Sequence, residues 1–229
     1  MSYPGKTDAP IAAAPGVFHL PLRVPESLEA QRGELHKKIL SAQQALYDFA
    51  CRHNWQAHMQ TPFAREVRVF TDKTRFNQAL VGLCGLEADY PVPSTYSGAL
   101  EQNVLICLSP TLYRRLYPQG DERDAWQKLL THEMAHRLHI RLLHGDEDAM
   151  GPVWFYEGYA LHAAGQMRRQ APKLTEEEIW AVVDSKERGD YRQYVTVFHF
   201  FLERLPLAQL VDNAGRADFS RWLRQTDDK

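Results

Sequence analysis

The sequence predicts an α+β fold, in which a small mixed sheet with an edge strand is followed by a mainly helical C-terminal part. Three observations lead there. Val104-Leu105-Ile106-Cys107-Leu108 is an unbroken apolar run of strand length, as expected for a strand covered on both faces. Asp124 to Leu143 contains no Pro or Gly, the mark of one long helix. Beyond it the apolar residues recur with helical spacing, not strand alternation.

The elements follow in order. Residues 1–25 hold five prolines and lack a basic start followed by an apolar run. They read as an extended arm packing through Val17, Phe18, Leu20 and Leu22, and not as a signal peptide or membrane anchor. No stretch approaches the ~20 apolar residues of a membrane helix, so the expected location is cytoplasmic unless an export signal has been removed. Residues 26–229 are expected to form a single domain, with 26–60 as a helical extension and 61–229 as the core. Leu28, Leu35, Ile39, Ala42, Leu46 and Phe49 form a helical stripe between Glu26 and Trp55. Arg65 to Phe70 alternates like a strand, and Thr71 or Asp72 caps a helix running to Leu83. Thr95 to Leu100 is a second strand, and Glu101-Gln102-Asn103 turns the chain into Val104–Leu108. Asp121 or Asp124 caps the long helix, and Gly145 ends it. After a loop, Pro152 suits the first turn of the next helix. Thr175 with Glu178 forms a capping box. Tyr191, Tyr194, Val195, Phe198, Phe201, Leu202 and Leu205 form the last stripe.

Composition excludes some functions. At 229 residues the chain is long enough for a sizeable core. A net charge of −2 and a pI near 6.6 leave no electrostatic footprint for nucleic acid or anionic lipid. Cys51, Cys84 and Cys107 are odd in number and lack metal-ligand spacing. They read as reduced, mostly buried thiols.

The chemistry is concentrated in Leu130-Thr131-His132-Glu133-Met134-Ala135-His136-Arg137-Leu138. Helical residues four apart share a face, so His132 and His136 can converge on one metal ion. Glu133 then points towards the fourth position, where a carboxylate can take the proton of a bound water. A catalytic zinc usually keeps three protein ligands and one open position. Glu157, 21 positions after His136 in Trp154-Phe155-Tyr156-Glu157-Gly158-Tyr159-Ala160, is the candidate third ligand. It sits among aromatics, where a carboxylate without a partner is costly. Asp146, Glu147 and Asp148 are near in sequence and read as a solvated loop.

H-E-M-A-H followed by W-F-Y-E-G-Y-A resembles the gluzincin zinc metallopeptidases, and within them the peptidase MA-like group, over roughly Arg65 to Leu223. The resemblance implies a zincin-like fold, Zn²⁺ held by His132, His136 and Glu157, and Glu133 as general base. The expected function is hydrolysis of peptide or protein substrates through a zinc-bound water. It also implies that the edge strand, Thr95 to Leu100, pairs with extended substrate. The metzincin pattern fails, because His139 and Leu142 stand where it needs Gly and His. A zinc peptidase also needs a donor for the oxyanion of its tetrahedral intermediate. Tyr191-Arg192-Gln193 and Glu203-Arg204 resemble the later helix of the MA-like group. Tyr191 is the first candidate donor and Tyr194 the second, with His162 and His199 behind them. The alternative is a catalytically inactive zinc-binding zincin-like protein acting as a binding or scaffold module.

Overall fold

The computed structural model describes residues 10–120 and 122–227. The first nine residues of the expected arm, and Asp121 as a cap, lie outside them. The chain divides into two compact units, Met1–Met134 and Ala135–Lys229.

In the first unit, β1 (Ile11–Ala14) and β2 (Val17–His19) form an antiparallel pair. β3 (Leu22–Arg23) follows. Of the four expected packing residues, Val17, Phe18 and Leu20 are buried and Leu22 is half-buried, and the segment also contributes to the sheets. Helix α1 (Arg32–Arg52) buries the stripe Leu35, Ile39, Ala42, Leu46 and Phe49. Each large side chain there contributes about 1.5–3 kcal/mol of burial. Gln43 lies on the same face, 3% exposed. Its amide accepts from Phe18 N at 3.0 Å and donates to Phe18 O at 2.9 Å. This satisfies a buried polar group and ties β2 to α1.

β4 (Glu66–Phe70), α2 (Lys73–Cys84), β5 (Gly98–Glu101), β6 (Val104–Leu108) and α3 (Pro110–Leu116) complete this unit, with the start of the next helix. The sheet order is β3-β4-β6-β5, with β5 antiparallel to β6 and the other pairs parallel. All five residues of β6 are buried, as its apolar run requires. Asp72 caps α2 by accepting from Arg75 N at 2.8 Å. Gln102 and Asn103 turn the chain at positive φ.

Two expectations are corrected and one element is added. The edge strand begins at Gly98, not Thr95, because Tyr96 N bonds back to Pro93 O and closes a turn there. Helix α3 was not anticipated, although Ser109 caps it and Pro110 opens it. Cys51 and Cys84 are exposed, and only Cys107 is buried, because the first two fall on solvent-facing turns of α1 and α2.

Helix α4 (Ala125–Leu142) runs from the first unit into the second. Gly145 follows at φ 92°, and its N–H bonds Ile140 O. Helices α5 (Val153–Ala164), α6 (Glu176–Asp184), α7 (Tyr191–Leu202), α8 (Leu207–Asn213) and α9 (Phe219–Asp227) fill the second unit. The Thr175–Glu178 capping box is present. α5 and α7 pack closely because a Cβ at Gly158 would stand 2.8 Å from Phe198 Cβ. Trp154, Phe155, Phe198, Phe201 and Phe219 cluster around that contact. α7 stops at Leu202, short of Leu205, as Pro206 disfavours helical geometry before it. No described helix is long and apolar enough to cross a membrane.

Candidate metal centre

Helix α4 is held at its first turns from within the first unit. Trp126 Nε1 donates to Leu108 O at 2.7 Å. Thr131 Oγ1 donates to Ala42 O at 3.2 Å. These bonds fix the rotation of the helix, and with it the direction of the next side chains. His132 is 6% exposed, an unusual burial for an imidazole on a helix. Glu133 is turned towards β5: a Cβ at Gly98 would stand 2.8 Å from its Oε1. Only the absence of a side chain at Gly98 leaves room for that carboxylate. Burial raises the Cys107 thiol pKa, and the charge of Glu133 raises it further.

Glu157 comes from the second turn of α5 and is 4% exposed. Its Oε2 lies 3.6 Å from His136 Nε2. One ligand atom from each of His132, His136 and Glu157 lies within 4.8 Å of the others. Ligands ~2.0–2.2 Å from a tetrahedral zinc stand about 3.4 Å apart, so the His136–Glu157 separation fits one ion. Two imidazoles and a carboxylate also form a donor set that divalent zinc accepts. This buried His-His-Glu group can hold a metal ion.

The oxygen of Glu157 not facing His136 meets a cation. Arg188 Nη1 lies 3.0 Å from Glu157 Oε1. The same guanidinium donates to Tyr191 OH, and through Nη2 to Tyr156 OH at 3.2 Å. Tyr191 is thus joined to Glu157 through Arg188. Tyr194 is 2% exposed, and its hydroxyl accepts from Gly189 N. Burial raises its phenol pKa. Both hydroxyls act as acceptors in these bonds. His162 and His199 face each other, with Nδ1 and Nε2 3.2 Å apart, outside the three-residue group. Asp146, Glu147 and Asp148 are exposed. Asp146 accepts from Ala149 N and Glu147 lies 3.7 Å from Arg137, as a solvated loop would.

Two residues near the group were not anticipated. Arg188 lies in an irregular segment with no motif; the one signal for it was that a buried carboxylate at Glu157 needs a cation. His139, one turn after His136, is fully buried and stacks on Tyr159 at 4.5 Å. Burial lowers its pKa to about 3. Comparison of the chain with known protein families, curated proteins and solved structures finds no match.

Proposed function

We propose that the protein is a zinc metallopeptidase with a zincin-like fold. The observation that carries this reading is the grouping of His132, His136 and Glu157, with Glu133 on the same helix beside an edge strand. Zinc bound there would polarise a scissile carbonyl and lower the pKa of an attacking water towards ~7. Glu133 would serve as the general base, accepting a water's proton and returning it to the leaving nitrogen. An extended peptide would add to β5, whose outer edge has no strand neighbour among the described residues. Gly98 lets the backbone of that strand approach the Glu133 carboxylate. Tyr191 or Tyr194 would donate to the oxyanion, which requires a shift of the Arg188 segment or of the phenol towards the substrate.

The test is Glu133→Gln. The amide keeps the shape but cannot accept the proton. The expected outcome is wild-type zinc content and melting temperature with peptide-library turnover lost, a fall of at least ~10²-fold. Near-wild-type turnover in this variant would contradict the role of Glu133. A wild-type protein that binds zinc and cleaves no peptide in the library would support the inactive scaffold reading instead.

A further inference from the structure

Glu157 has two oxygens in two different settings. Oε2 faces His136, at 3.6 Å. Oε1 is engaged by Arg188, at 3.0 Å. The segment that carries Arg188 is itself fixed. Ser185 Oγ accepts from Glu187 N at 3.2 Å. Gly189 N donates to the buried Tyr194 hydroxyl. Asp190 caps α7 by accepting from Arg192 N at 2.8 Å. The guanidinium is then aimed by two phenols, Tyr156 and Tyr191. A planar fork held at several points loses little further freedom when it holds a carboxylate.

We propose that Arg188 is a positioning residue for the metal ligand Glu157: by holding Oε1 it leaves Oε2 as the single oxygen offered to the ion. This rests on the reading of His132, His136 and Glu157 as a metal site. A carboxylate free to turn can offer both oxygens and fill the position that water or substrate needs. Arg188 prevents the turn, so three protein donors are supplied and no more. It also ties the ligand to Tyr191, so the metal site and the candidate oxyanion donor share one support. Partners of this kind usually affect metal affinity by 10–100-fold.

The experiment uses the full chain with Zn²⁺ and Co²⁺ as probes, in wild type, Arg188→Met and Arg188→Lys. Zinc affinity is measured by competition with a chromophoric chelator, and the coordination number by the visible absorption of the Co²⁺ form. Circular dichroism checks the fold. The expected result for Arg188→Met is zinc binding weaker by about 10–100-fold, with weaker Co²⁺ absorption as a second Glu157 oxygen raises the coordination number. Arg188→Lys keeps the charge without the fork, so it should recover part of the affinity. Wild-type affinity and spectrum in Arg188→Met overturn the proposal. Tighter zinc binding also overturns it, since Arg188 would then be a competitor of the metal. If Arg188→Met does not fold, Arg188→Lys decides, and unchanged affinity and spectrum there overturn the proposal. A wild type that takes up no zinc fails at the earlier step, the metal site itself.

Discussion

At the scale of single residues, the centre depends on polar groups buried with specific partners. Glu157 meets Arg188 on one oxygen and faces His136 with the other. His139 is the contrasting case. Its ring stacks on Tyr159 and meets Phe155 edge-on, and neither nitrogen has a hydrogen-bond partner among the described residues. Burial, and next the charge of His136, hold its pKa near 3. The ordinary value is ~6.5, so below that pH the unfolded chain gains a proton that the folded chain refuses. Stability from this residue is therefore complete above about pH 6.5 and declines as pH falls towards 3. The loss approaches ~1.4 kcal/mol per pH unit within that window. His139→Phe keeps a ring on Tyr159 and removes the titration. Chemical denaturation of the metal-free protein between pH 7 and 4.5 should show a flatter stability profile for this variant. Parallel profiles would mean that His139 is protonated in the folded state.

At the scale of elements, β5 and α4 set the position of Glu133. Gly98 has no positive-φ requirement, so its role is space alone. Gly98→Ala should leave the strand paired and displace the Glu133 carboxylate. Peptide turnover should fall by on the order of 10–10²-fold, with zinc content and melting temperature near wild type. Undiminished turnover would show that the carboxylate works from another position. The sequence made this level legible where the signal was local. The β6 run, the Thr175–Glu178 box and the Gly145 stop each express a rule of neighbouring residues. The His132, His136 and Glu157 group was legible too, because helical spacing places two of its members and the cost of burial marks the third. What escaped was set by distant contacts. β3 is two residues long and exists by pairing with β4. Arg188 lies in an irregular segment, and its role appears only when α5 and α7 are packed. Cys51 and Cys84 were misplaced because cysteine is usually buried, while helix phase decides at any one position.

At the scale of the molecule, each unit carries its own apolar core: the α1 stripe with β6 in the first, and the aromatic cluster of α5, α7 and α9 in the second. Small folds rely on a structural metal when such a core is lacking. With both cores in place, an ion at the proposed centre would have a chemical role, and the chain without it is expected to remain folded. The near-neutral charge offers no long-range steering, so the proposed peptide substrate would have to be recognised by backbone pairing at the strand edge. The central claim is that one ion sits among His132, His136 and Glu157. It is tested most directly by an anomalous difference map at the zinc edge from a zinc-soaked crystal. The account predicts one strong peak per chain, ~2.0–2.2 Å from a nitrogen of each histidine and one oxygen of Glu157. A map with no peak among these three side chains would contradict it.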